Sequence, residues 1–250
     1  MIPDLRSSTA AARARSLAAR SVSAVALATL TGCAAMNPAS QECVDPDRRL
    51  AQALAPIPPA HLDGPLCASA ARGEVSCGMI RQRVNQLANL CPRHAPTVLA
   101  AASLAYDGGS ISTAQQYLDD LLSWAPAYPE AVMLRSRLAL QDGNLRLARR
   151  LLEQEIQRVP NHPGLREMLA SLLYLQRQYA EARATLEIAG RLGAPTWRLS
   201  YNLGLVEEGL GNDEIAERHY AATLEARPDY GPARMRLEAL RAGAAPRPRP

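Results

Sequence analysis

Between residues 95 and 228 of this 250-residue chain, the small and apolar positions return at a fixed spacing of 34. Ala114, Ala148, Ala182 and Ala216 form one column, and Leu118, Leu152, Leu186 and Tyr220 follow four residues later. Ala102, Ser136, Ala170 and Gly204 form a second, all-small column. Gly109, Gly143 and Gly211 stand five residues before three of the alanines, with Arg177 in the remaining slot. Pro126, Pro160 and Pro228 stand twelve residues after three of them; the other unit has Ala194 there and Pro195 one place late. Such a period divides into two helices of about fourteen residues and two short turns. The glycine supplies positive φ between the helices. The alanine is where the second helix crosses close to the first, and the leucine four residues on fills the core on the same face. Proline ends the second helix. One hairpin cannot bury its own apolar face, so the units must stack, which predicts an all-α solenoid.

This small–Gly–Ala–Pro pattern resembles the tetratricopeptide repeat (TPR) in four units over residues 95–228. The resemblance implies a right-handed α-solenoid of helix hairpins whose first helices line the inner surface. One period earlier, Pro92 takes the unit-ending slot, Ala68 the small slot, and Met79, Ile80, Val84 and Leu87 an apolar stripe. Residues 61–94 therefore read as a degenerate fifth unit, its close contact loosened where Ile80 replaces alanine. Residues 229–242, centred on Pro232 to Leu240, read as a capping helix, and residues 243–250 as a disordered or polyproline-like tail. The family's ligand positions, carried onto this chain, are Leu99, Ser103, Tyr106, Met133, Arg137, Leu140, Glu167, Ser171, Tyr174, Leu175, Tyr201 and Leu205. Leu99, Tyr106, Met133, Arg137, Tyr174 and Tyr201 are the partner-groove candidates. They suit a peptide or helix docked by apolar contact with a few hydrogen bonds. Leu140 and Leu175 also read as packing between units. One TPR subtype grips a terminal carboxylate with Lys, Asn and Arg; Leu99, Met133, Glu167 and Tyr201 occupy its key column here, so that clamp is absent.

The first residues carry a different signal. Arg6, Arg13, Arg15 and Arg20 precede an apolar run from Val22 to Leu30, too short to span ~30 Å of hydrocarbon as a helix. The run ends in Leu30-Thr31-Gly32-Cys33, which resembles the lipobox of bacterial lipoproteins. The resemblance implies that residues 1–32 are a signal peptide and that Cys33 is lipidated and becomes the first mature residue. Ala34 in place of an aspartate points to the outer membrane, facing the periplasm. Acyl chains add ~0.8 kcal/mol per buried CH₂, and stable anchoring takes more than one of them. Residues 33–60, with five prolines, read as a lipidated tether with one short helix from Asp47 to Leu54, capped by Asp45 with Pro46 in its first turn.

Charge and cysteines refine the picture. All 28 basic residues are arginine, and Arg6, Arg13, Arg15 and Arg20 against Asp4 account for +3 of the formal +4, leaving +1 for the rest. So even a balance gives no electrostatic case for nucleic acid. Cys43, Cys67, Cys77 and Cys91 are an even set in an exported chain and read as two disulfides with three possible pairings. Cys77 and Cys91 sit at opposite ends of one predicted helix, which favours Cys67–Cys77 with Cys43–Cys91. No Cys-x-x-Cys pair supports zinc.

His94 and His162 share a loop position two periods apart and are not a metal pair. Neither hydrolase nor phosphate-loop motifs occur, and the adjacent acids Asp119-Asp120 and Glu207-Glu208 point ~100° apart on a helix. Arg146, Arg149 and Arg150, on an outward second helix, read as a solvated face. The expectation is a non-catalytic, cofactor-free, metal-free lipoprotein adaptor that holds another envelope protein and meets the membrane through its lipid. In size, anchor and repeats it resembles pilotin-type lipoproteins, which implies a place in pilus or secretion-system assembly. The alternatives are an adaptor regulating cell-wall enzymes or envelope biogenesis, and a small-ligand-binding lipoprotein.

Overall fold

The computed structural model describes residues 43–57 and 77–243. Residues 1–32, Cys33, Cys67, the first helix expected within 61–76 and the tail after Gly243 lie outside them. Among the described residues there are eleven helices and no strand. The chain divides between Arg135 and Ser136, inside α5 (Pro129–Gln141), into two compact units.

The first unit contains α1 (Pro46–Leu54), α2 (Cys77–Leu90), α3 (Ala95–Asp107) and α4 (Ile111–Trp124). Leu50, Ala53 and Leu54 of α1 pack with Ile80, Val84 and Leu87 of α2 and with Ala100, Ala101 and Leu104 of α3. Ile80, which replaces the small residue of the period, is therefore buried, and α1 supplies the surface it packs against. Cys43 is disulfide-bonded to Cys91 with Cα atoms 5.1 Å apart. His94 Nε2 lies 3.2 Å from Asp47 Oδ1, and its Nδ1 2.7 Å from Thr97 Oγ1. Cys77 is disulfide-bonded too. Asp45 differs from expectation: it precedes Pro46 in the left-handed region, φ 48°, and makes no side-chain capping bond.

The second unit contains α6 (Leu145–Arg158), α7 (Pro163–Leu175), α8 (Tyr179–Arg191), α9 (Thr196–Leu210), α10 (Asp213–Ala226) and α11 (Gly231–Arg241). First and second helices differ in kind. In α7, Leu165, Met168, Ala170, Leu172 and Leu173 are buried around much of the circumference, because the helix is flanked by neighbours on several sides. In α8 only Ala182, Leu186 and Ala189 are, a single stripe at helical spacing. The same contrast separates α9 from α10, and α3 from α4.

Between paired helices Gly109, Gly143 and Gly211 hold φ of 75°, 71° and 81°. The third unit of the column places Arg177 in the same left-handed conformation, φ 61°, a state that costs an L-residue about 1–2 kcal/mol. Two columns also exchange volume. Three units pair leucine with Ala or Ser, whereas the last pairs Tyr220 with Gly204, and a Cβ on Gly204 would lie 2.5 Å from Tyr220 Cε1. Beyond it α11 buries Ala233, Leu237 and Leu240 against Tyr201, Leu205, Ala216 and Tyr220.

Candidate partner-binding face

The six inner-face candidates do not share one environment. Leu99, Met133, Arg137 and Tyr201 are buried; Tyr106 and Tyr174 are half-buried. Tyr201, 2% exposed, sits edge-on to Tyr230 at 5.0 Å and beside Tyr220 at 5.9 Å, so it is core under α11 rather than open surface. Family positions carried over by register identify the side of the helix and not the accessibility, because large side chains at those positions fold over their neighbours. Of the wider set, Leu140, Glu167, Ser171 and Leu205 are also buried, Ser103 is half-buried, and Leu175 is 38% exposed.

Successive first helices of the second unit are locked by charge. Arg198 of α9 grips Glu167 of α7 in two-pronged fashion: Nη2 donates to Oε2 at 2.7 Å and Nε to Oε1 at 2.9 Å. Both side chains are buried, so each charge depends on the other for its solvation. A second lock joins α9, α10 and α11. Tyr220 donates to Glu208 Oε2 at 2.7 Å, and Arg236 Nη1 donates to Glu208 Oε1 at 2.9 Å. Burial, then the Glu208 charge and its hydrogen bond, push the Tyr220 phenol far up. Burial also raises Tyr174, with Arg236 opposing and Glu208 adding. Both tyrosines therefore act as neutral phenols. On α10, burial lowers the pKa of His219 and outweighs the opposing Glu207 charge.

Beside these locks lies a buried amide. Asn202 of α9 is 4% exposed, and neither its Nδ2 nor its Oδ1 has a hydrogen-bond partner within the chain. It lines a small cleft with Ser171, Tyr174, Leu205 and Val206, whose free space of about 10 Å³ matches a single water. Ser171 spends its hydroxyl proton on the Glu167 carbonyl at 3.0 Å. A buried amide without partners costs about 1–3 kcal/mol. The signal was in the sequence: the same column holds Ala100, Leu134 and Met168, so Asn202 is the polar exception in an apolar series. A carboxamide offering both donor and acceptor, with a phenol beside it and no free charge, matches the chemistry of a main-chain amide.

On the outward side, Arg149 Nη2 donates to Gln176 Oε1 at 2.5 Å and Gln178 Oε1 at 2.8 Å, tying α6 to the turn after α7. Among the described residues no group of three or more His, Cys, Asp or Glu side chains could hold a metal ion. No described helix is long and apolar enough to cross a membrane.

A family model described as tetratricopeptide repeat matches residues 139–193. Among curated proteins none matches the chain in sequence. Solved structures share the fold. A thermophilic TPR protein of Thermus thermophilus is 18% identical with a TM-score of 0.60, covering 66% of this chain and 91% of that one. A tetratricopeptide repeat protein from Parabacteroides merdae is 17% identical with a TM-score of 0.63, covering 81% and 73%. The Pseudomonas aeruginosa protein pilF is 14% identical with a TM-score of 0.56, covering 79% and 82%.

Proposed function

We propose, for a chain built of tetratricopeptide repeats, the role of a non-catalytic adaptor that is lipid-anchored at Cys33 to the outer membrane, faces the periplasm and holds another envelope protein. TPR folds are scaffolds for protein–protein contact, and the observation that carries this reading further is Asn202. Where the equivalent positions carry Ala100, Leu134 and Met168, Asn202 is buried with both polar atoms of its amide unpartnered within the chain, next to the half-buried Tyr174. An extended stretch of the partner would pack an apolar side chain against Tyr174 and Leu175 and give its main-chain polar groups to Asn202 once these side chains move aside from the water-sized space over it. The likeness to pilF supports assembly of a pilus or secretion system as the process served.

Two experiments test the reading. Replacing Cys33 by Ala abolishes membrane fractionation if the lipid is the anchor; unchanged fractionation contradicts it. Crosslinking and pull-down from native envelopes recovers a partner with the wild type and loses it with Tyr174→Ala plus Leu175→Ala, while helical circular dichroism stays intact. Capture untouched by the pair contradicts the use of this face.

A further inference from the structure

One arginine of the first unit lacks the partner that the repeat provides elsewhere. Arg81, Gln115, Arg149, Arg183 and Glu217 form a column on the second helices, spaced by 34. Its later members reach the next hairpin. Arg149 donates to Gln176, 27 residues on, and to Gln178, 29 residues on. Arg183 donates to Glu207 at 3.4 Å, and Glu217 lies 3.6 Å from Arg241. Gln115 is engaged as well.

Arg81, on α2, breaks the pattern. At the two places where Arg149 finds Gln176 and Gln178, Arg81 meets Gly108 and Ser110. Glycine has no side-chain acceptor, and Ser110 makes no side-chain bond to the start of α4. The half-buried guanidinium fills the space of the missing side chain: its Cζ lies 3.1 Å from where a Cβ on Gly108 would stand. No hydrogen bond or ion pair engages it among the described residues. Asp107, the carboxylate nearest Gly108 along the chain, has a partner of its own. α2 itself carries Arg81 and Arg83 and no acid.

A guanidinium held partly out of water without a counter-charge gains most from a carboxylate, whose two oxygens match its planar fork. Gly108, Gly109 and Ser110 are exposed, so the approach is open. The groups that answer Arg149 and Arg183 are side-chain oxygens of Gln and Glu, and Asp142 stands in the place of Gly108 one hairpin later. The vacant place is therefore proportioned to an acidic side chain. A lone guanidinium also balances one carboxylate, whereas a phosphate carries about −1.5 to −2 and calls for more than one cation.

We propose that the turn between α3 and α4 is a docking point for an acidic segment of a partner protein, whose aspartate or glutamate enters the place left by Gly108 and pairs with Arg81. The partner supplies from outside the acceptor that Gln176 supplies to Arg149 within the chain. The contact belongs to the first unit and depends neither on Asn202 nor on the lipid anchor.

The test follows the arginine Nε–H resonances of the full chain, in an uncharged detergent, during titration with the capped tripeptide Gly-Glu-Gly. Arg81→Gln assigns the Arg81 resonance by its loss. That resonance moves and saturates, while that of the already paired Arg149 stays in place. Capped Gly-Gln-Gly binds about tenfold more weakly. Gly108→Asp brings the carboxylate into the chain, so the Arg81 resonance is displaced before peptide is added and affinity for Gly-Glu-Gly falls about tenfold. Gly108→Ala moves the guanidinium without pairing it and keeps the wild-type affinity. The backbone at Gly108, φ −83°, accepts both substitutions. An Arg81 resonance indifferent to Gly-Glu-Gly, or equally responsive to Gly-Gln-Gly, overturns the site. So does a response spread evenly over the exposed Arg146 and Arg150, or wild-type affinity in Gly108→Asp. Inorganic phosphate that binds Arg81 more tightly than Gly-Glu-Gly overturns the carboxylate as its ligand.

Discussion

Replacing Asn202 by leucine should make the protein more stable and a poorer adaptor. Leucine keeps the branching of asparagine, and Leu134 and Met168 show that the column accepts larger apolar side chains. The substitution removes two buried polar atoms that have no partner. Relieving them is worth about 1–3 kcal/mol, from which strain of up to about 1 kcal/mol is subtracted where the adjoining space is only about 10 Å³. The net gain is about 0–3 kcal/mol, or a rise in Tm of up to about 12 °C at about 2–4 °C per kcal/mol for a chain of this size. Partner affinity moves the other way. Two main-chain hydrogen bonds at about 1 kcal/mol each correspond to about a thirtyfold loss. Thermal melts followed by circular dichroism measure the first effect, and titration against the captured partner the second. Asn202→Met, which copies the preceding unit, should behave alike. If both variants melt below the wild type, the amide is satisfied in the folded state and the reasoning fails; unchanged affinity removes Asn202 from the interface.

Three further outcomes are expected. Gly204→Ala places a methyl 2.5 Å from Tyr220 Cε1 and should cost about 1–3 kcal/mol; Gly204→Ala with Tyr220→Leu restores the pairing of the other units and should recover part of it in denaturant melts. Arg177→Gly should raise stability by about 0.5–1 kcal/mol by relieving the left-handed backbone at φ 61°, and a loss in the same melt would show that the arginine side chain matters more than its backbone. Cys43→Ser with Cys91→Ser removes a bridge between residues 48 apart and should lower the stability of the first unit by about 4 kcal/mol; a melt indifferent to the pair would contradict the stapling of α1.

The hairpins were legible in the sequence because their requirements are local and periodic. A positive φ between helices, a small residue at the crossing and a proline at the end each restrict residue type at one place. Even the irregular units were visible, as Arg177 in the glycine slot and the pairing of Tyr220 with Gly204. The binding face was less legible. Register shows that Tyr201 and Met133 lie on the first-helix side, but their burial depends on what α11 and neighbouring side chains contribute, and that is not periodic. The Glu167–Arg198 pair is likewise invisible to column reading, since it joins two different columns in adjacent units. Asn202 was readable as a polar residue in an apolar column, yet only the structure reveals that it has no partner. The short helix at Pro46 was placed by its proline, while Asp45 turned out to use a left-handed backbone without a capping bond.

The central claim is that a partner is held on the first-helix face of the second unit. The most direct measurement places a photo-crosslinking amino acid at Tyr174 and, separately, at the outward-facing Arg150 in intact cells. The account predicts a single discrete adduct from position 174 that disappears with Asn202→Leu, and none from position 150. Adducts of equal yield from both positions, or from position 150 alone, would contradict it.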